Sequence, residues 1–597
     1  MRVLGSSLKC FWTGDIGLAS NNAFSVHKTK SSSRFQRNCI RTRPELDHPA
    51  FVCHKWPMKR ELGWLLLAWL ALAAIMFAFS RPDLDAPGLY YDEAVYGHMT
   101  KDFFRHCAAE QHMPGNQTIN FLGRPLPLFV QGYLGAAKCW MLLPFFAVFG
   151  PGAVVMRAAM LCWTLAGLLL FMLWVWRLLG PVAAIIGGCL LGLDPSFLFF
   201  SVWEWGSVVP SFVFRFGGFL FVLLWWRKRK GFWLFLAGLA FGLGFFNKID
   251  FAIILLSSGI ALLAAFGKEI LHIIGELPKQ VALGGLGFLI GAAPALWYLP
   301  RTLGYVFSGQ TSEAGEISEK FKTIQQMFDG SYTWRVLARG GDLPRPLDHL
   351  RGLLSPFGVV LILTLFFAFI FVVRHFHRRK SAGEPTKGVL SFPDRLMTFF
   401  LLSTVLIFSL TWLLPGATRI HHWTLVYPFP QMLILSVALS VIRNPDLRIP
   451  KCFALAAIIA VVAGHTVALA KTRALVEKTG GRGLWSNSLD SFAGEVRHRS
   501  DLVLVSMDWG LEEQLAFLTE GPRLLEPIWQ MQQDVPFQIS TATNYIYLAH
   551  PPEYRVFPHD EELLQVARSH DPAKVSIREH KDRERQTVFF TIQFLGE

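Results

Sequence analysis

Long apolar runs recur along this chain, beginning at Leu62–Phe79 and ending near residue 470. Each is long enough to cross roughly 30 Å of hydrocarbon, the length a membrane-spanning helix needs. With 52% hydrophobic and 17% charged residues, the chain is expected to be mainly α: a polytopic helical membrane protein. After the first run, spans are expected at roughly 153–176, 181–201, 207–226, 232–247, 250–266, 281–299, 352–373, 396–414, 424–442 and 452–470. That makes about eleven. The net charge of +14 does not imply a nucleic-acid partner, because the cations cluster in short loops between apolar runs. Such clustering is how cytoplasmic loops are marked. Cysteines are scattered, with Cys162 and Cys189 inside apolar runs and no CxxC pair, so neither a disulfide framework nor a zinc ribbon is indicated.

Residues 1–57 are polar and basic and read as disordered or non-native. Met58-Lys-Arg-Glu61 ahead of the first run is the expected translation start. The segment Pro125–Phe149 is broken by prolines. Counting it as a span would bring Arg227–Lys230 to the same side as Asp92, so it is read as helices lying on the membrane surface. The basic loops then share the cytoplasmic face: Arg177, Arg227–Lys230, Lys268 to Lys279, Arg374 to Lys387, and Arg443 to Lys451. A membrane domain 58–470 follows, with outer loops 80–152 and 300–350. The soluble segment 471–597 is expected outside as a small α/β domain, with strands at 501–506, 574–578 and 587–594 and a helix at 511–519. The implied location is a bacterial inner membrane, N-terminus cytoplasmic, C-terminal domain periplasmic.

The outer face holds the polar groups that could carry chemistry. Asp92 and Glu93 lie in Gly88-Leu-Tyr-Tyr-Asp-Glu-Ala-Val-Tyr-Gly97, where Tyr90, Tyr91 and Tyr96 flank two adjacent carboxylates just past the first span. Glu204 falls between two spans, and Arg215 within the next. Asn247-Lys248-Ile-Asp250 interrupts an apolar stretch, and Arg419-Ile-His-His-Trp423 precedes Tyr427-Pro428. Ionisable groups at this depth are rare and usually face a polar cavity. Plainer alternatives stand beside each: a wet loop for the acid pair, an ion pair with Glu204 for Arg215, and an external turn for Lys248 and Asp250. His421 and His422 point about 100° apart on a helix, which disfavours a shared metal.

Paired carboxylates and cations at an outer membrane surface suit glycosyl transfer from a lipid phosphate. Cations hold the departing phosphate, and a carboxylate takes the acceptor's proton as it attacks C1. Several landmarks resemble the membrane-embedded glycosyltransferases of the C-type (GT-C) fold, the superfamily that includes protein O-mannosyltransferases and lipid A aminoarabinose transferases. They are the Tyr90–Gly97 motif, Pro125-Leu-Pro127 ahead of Phe149-Gly150, Arg157, Asp194-Pro-Ser196 to Glu204, Gly238-Leu-Ala-Phe-Gly242 to Lys248, and Tyr427-Pro428, together covering roughly residues 60–440.

The resemblance implies Asp92 as base or acceptor-orienting acid and Glu93 as its partner. Glu204, another substrate-binding candidate, stands where the family commonly carries an Asp. Lys248, Arg419 and His422 are the phosphate-contact candidates, with Tyr96, Tyr427 and Arg215 as further substrate-binding candidates. The implied partners are a polyprenyl-phosphate sugar donor, a lipid, glycan or protein acceptor, and the bilayer. No cofactor is required; the carboxylates leave room for a divalent cation, although no ligand spacing demands one. A transporter or lipid flippase using the same charges as a relay is the competing expectation, and a non-catalytic scaffold is a third.

Overall fold

The computed structural model describes residues 58–80, 86–105, 116–203, 206–307, 317–340, 355–381, 392–414, 419–443, 448–531, 535–557 and 559–596. The extension 1–57 and Glu204 lie outside them.

Helix α1 (Met58–Ser80) leads to α2 (Tyr91–Arg105), then to a small sheet of β1 (Gln117–Phe121), β2 (Arg124–Gln131) and β3 (Leu134–Gly135), and to α3 (Ala137–Phe149). There follow α4 (Ala153–Leu179), α5 (Pro181–Gly192), α6 (Pro195–Val202), α7 (Val208–Lys228), α8 (Gly231–Asn247), α9 (Phe251–Glu276) and α10 (Pro278–Phe307). Two short helices, α11 (Ile317–Phe328) and α12 (Tyr332–Arg339), occupy part of the segment expected to be an outer loop. The membrane portion closes with α13 (Phe357–Ser381), α14 (Phe392–Leu413), α15 (Ile420–Trp423), α16 (Phe429–Arg443) and α17 (Arg448–Thr479).

Among the described residues, 9 helices are long and apolar enough to cross a membrane, or 10 if the bent pair α5–α6 counts as one span. The expected eleventh, α8, is apolar but only 17 residues long. The 64° bend between α5 and α6 has a local cause. Asp194 caps α6 by accepting from the amides of Ser196 and Phe197, and Pro195 occupies the first helical position. The membrane-facing surface is apolar, with Leu67, Leu70, Ile362 and Phe366 each more than half exposed.

One expectation is corrected. Pro125–Phe149 is a strand followed by a 13-residue helix, rather than a set of surface helices. Leu122 and Gly123 both have positive φ, so β1 and β2 join through a two-residue turn of the kind that matches strand twist. Asn120 closes that turn by accepting from the Gly123 amide.

Helix α4 runs from Arg157, which binds Glu93, to Arg177, whose carbonyl accepts from Arg227. At the same end Trp176 donates to Glu61, Gln280 donates to the Arg229 carbonyl, and Arg395 pairs with Glu269. Among the described residues, Arg177, Arg227, Arg229 and Arg395 therefore gather at the end of α4 opposite Arg157 and Glu93.

Helices α8 and α10 meet backbone to backbone. A Cβ on Gly238 would collide with the Gly284 carbonyl, and one on Gly242 with that of Phe288; Gly287 and Gly291 are equally crowded from the other side. Small residues at helical spacing allow this approach where no hydrophobic force draws helices together.

Helix α17 has 32 residues and is about 48 Å long, so it carries the chain past the bundle. Beyond it lie α18 (Ser488–Val496), β4 (Val503–Ser506), α19 (Glu512–Leu518), β5 (Arg523–Leu525), α20 (Ile528–Met531), β6 (Tyr545–Ala549), α21 (Asp560–Ser569), β7 (Val575–Lys581) and β8 (Thr587–Phe594). The strands form one sheet in the order β5-β4-β6-β8-β7, parallel at β5, β4 and β6 and antiparallel beyond. Short strands β5 and β6 add to the expected set. Each face has its own apolar core, one around Phe589 and Leu504, the other around Tyr547 and Ile592.

Candidate functional site

The acid pair opens α2, and its two members have different surroundings. Glu93 is 1% exposed and held by Arg157, Nε to Oε1 at 2.7 Å and Nη2 to Oε2 at 2.7 Å. Arg157 also donates to the carbonyls of Pro87 and Gly88, so the pair pins the chain leading into the helix. A buried bidentate pair of this kind is a structural clamp, since losing either partner strands a charge. Asp92, one residue earlier, is half-buried.

The tyrosines around it are tied to the C-terminal domain. Tyr90 stacks on Trp485 with centroids 4.1 Å apart and meets Trp509 edge-on at 6.0 Å. Tyr91 lies 4.6 Å from Trp509. Burial, then the carboxylates of Glu513, Glu526, Glu512 and Asp92, push the Tyr91 phenol well above its usual range. Asp92 thus shares its surroundings with three acids from a segment read as chemically silent. Tyr96 packs under Lys138, whose ammonium sits 4.5 Å from the ring centroid. Lys138 is fully buried and escaped the sequence reading, because a single Lys in a helical segment looks like any surface cation.

The second cluster is the turn between α8 and α9. Lys248 Nζ is 2.9 Å from Asp250 Oδ2 and 3.4 Å from His422 Nδ1, and His422 lies 3.6 Å from the same carboxylate oxygen. Burial would raise the Asp250 carboxyl, but Lys248 and His422 outweigh it and hold it below its usual range. Arg419 stands at the N-cap position of α15, one turn before His422. An isolated bridge pairs Lys248 with Leu134 of β3, and Leu134 packs in the same apolar cluster as Tyr91 and Tyr96. Strand β3 therefore links the acid motif to the cationic turn. The structure thus places Lys248 at the start of a short turn, paired with Asp250 inside it.

Two further candidates are committed inside the protein. Arg215 is 1% exposed and donates through Nη1 to the carbonyls of Thr424, Leu425 and Tyr427, and through Nη2 to Ser211. Its described partners are these, so the ion pair with Glu204 falls outside what is described. Tyr427 is fully buried, with its hydroxyl 3.0 Å from both oxygens of Asp194. Both residues brace the segment that presents Arg419 and His422. Among the described residues no three His, Cys, Asp or Glu side chains are grouped to hold a metal ion.

No family model matches the chain, and no curated protein matches it. Among solved structures, it is similar to ArnT from Cupriavidus metallidurans bound to undecaprenyl phosphate, with 14% identity and a TM-score of 0.46, over 89% of this chain and 98% of that one. It is also similar to the archaeal oligosaccharyltransferase AglB from Archaeoglobus fulgidus, in complex with an inhibitory peptide and a dolichol-phosphate, with 14% identity and a TM-score of 0.45, over 77% of this chain and 64% of that one. Such identity transfers the role of no side chain.

Proposed function

We propose that this protein moves a sugar from a polyprenyl-phosphate donor to an acceptor hydroxyl or amine at the outer membrane face, inverting the anomeric centre. The observation that carries this reading is a half-buried Asp92 joined through β3 to the Lys248–Asp250–His422 cluster. A carboxylate left outside the Glu93–Arg157 clamp is suited to general-base work on an acceptor. Lys248, with Arg419 nearby, supplies positive charge for a departing lipid phosphate, and the His422 ring beside them offers a hydrogen-bonding partner. Glu93 then acts by positioning Asp92, while Arg215 and Tyr427 hold the basic segment in place. The α2 end of the bundle is the outer, periplasmic side in this reading, and the end that gathers Arg177, Arg227, Arg229 and Arg395 is cytoplasmic.

The test is transfer from a radiolabelled polyprenyl-phosphate sugar in proteoliposomes. Asp92→Asn keeps shape and removes the base, and is expected to lower turnover by about 10²–10⁴-fold with unchanged yield and unfolding midpoint. Near wild-type turnover in that variant refutes the assignment. Movement of label across the bilayer without a new glycoconjugate would favour the relay reading.

A further inference from the structure

Helix α2 presents one face to the C-terminal domain along its whole length. Tyr91, His98, Lys101 and Arg105 follow helical spacing, and each reaches that domain. Tyr91 meets Trp509; His98 Nδ1 lies 3.1 Å from Glu513 Oε2. The approach is close: a Cβ at Gly97 would lie 2.9 Å from the Phe517 ring. Lys101 is 2% exposed, and its ammonium donates to the carbonyls of Ala516, Phe517 and Thr519 at 3.1, 2.5 and 2.7 Å. Those carbonyls end α19, where a helix leaves its acceptors unsatisfied and a cation is favoured. Arg105 adds a donor to Thr519 from one turn further on.

We propose that Lys101 is a positioning residue for the transfer reaction: by capping α19 it seats the C-terminal domain against α2 and thereby fixes the Asp92 carboxylate. This rests on the transferase reading above. Three features of the geometry point the same way. The other side of α2, through Val95, Tyr96 and Met99, packs on Val130, Leu134 and Cys139. Asp92 sits at the end of the helix where both contacts converge. Trp509, which touches Tyr91, is three residues ahead of the helix that Lys101 caps. A loosened α19 therefore releases the ring against the acid motif. Burial lowers the Lys101 ammonium to about 7, with Arg105 and Arg497 adding to the effect and Glu520 and Asp102 opposing it. The cap is thus strongest below that value.

The test uses full-length protein in proteoliposomes, with Lys101→Met and Lys101→Arg. Two quantities are read: steady-state transfer, and hydrogen exchange at residues 91–105 and 512–519. Lys101→Met is expected to lower kcat at least tenfold, change KM for the polyprenyl-phosphate sugar by less than threefold, and speed exchange in both segments tenfold. Lys101→Arg is expected to restore kcat to within threefold. It should also hold activity above pH 8, where the wild type declines, because a guanidinium stays charged. Unchanged exchange in Lys101→Met, or faster exchange with an unchanged kcat, overturns the proposal, as does failure of Lys101→Arg to restore slow exchange. A wild type that transfers no sugar from any polyprenyl phosphate instead sinks the transferase reading; the exchange measurements still decide whether Lys101 holds the two segments together.

Discussion

Helices α8 and α10 meet through glycines, whereas the α2 end of the molecule is held by buried cations reaching irregular backbone. In the first region every residue is helical, and what the seam requires is that bulk be kept out of it. In the second, loops and helix ends leave carbonyls without partners. Arg157 serves Pro87 and Gly88, Arg215 serves the 424–427 turn, Lys101 serves the end of α19, and Lys320 serves Trp412 and Leu414. The difference teaches how to sort cations near a membrane surface. Most of those buried at this end solve a backbone problem. Lys248 pairs with side chains instead, those of Asp250 and His422.

That contrast can be broken at several points. Arg157→Leu should cost most, about 3–5 kcal/mol, because it leaves the Glu93 carboxylate buried without its partner. Thermal unfolding in detergent measures it, and a loss as small as that of Asp92→Asn would erase the distinction between the two acids. Gly242→Leu should cost about 1–3 kcal/mol by forcing α8 from α10. Cysteine cross-linking across the seam would show the separation, and unchanged cross-linking would mean that the glycines are not needed there.

A smaller effect is expected from Asp250. Its folded carboxyl lies below the usual range, so through the acid window the unfolded chain binds more protons and stability rises with pH. The contribution is complete above about pH 4 and is lost as pH falls through the lower folded value. Asp250→Asn should flatten the acid limb of the stability profile while leaving its slope above pH 5 unchanged. Smallest of all is the exposed Arg578–Glu495 pair in the C-terminal domain: Arg578→Ala should cost less than about 1 kcal/mol and nothing in high salt. A larger loss there would show that the sheet, too, depends on charge.

Much of the helical frame was legible because apolar length is a local property. The runs at 153–176, 207–226 and 396–414 match α4, α7 and α14, and the strand at 501–506 matches β4. Segment 125–149 was misread because prolines hide both period and strand; the two-residue turn that leads into its strand depends on a positive φ at Leu122 that nothing in that residue announces. At the candidate site Asp92, Glu93, Lys248 and His422 could be picked out one by one as charges beside apolar runs. Their division of labour could not. Glu93 differs from Asp92 only in what lies opposite, and Arg157 comes from 64 residues away. Glu512, Glu513 and Trp509 were passed over for the same reason, since their segment resembles any soluble helix until it is set against Tyr91.

By itself, the order of residues determined that this chain lives in a membrane as a bundle of helices, with a folded segment after the last span. Hydrocarbon imposes those outcomes on any run of suitable length and charge. Which carboxylate Arg157 clamps, and which lysine braces a carbonyl and which faces a histidine, was decided only when distant segments met, because a buried charge takes its role from its nearest partner.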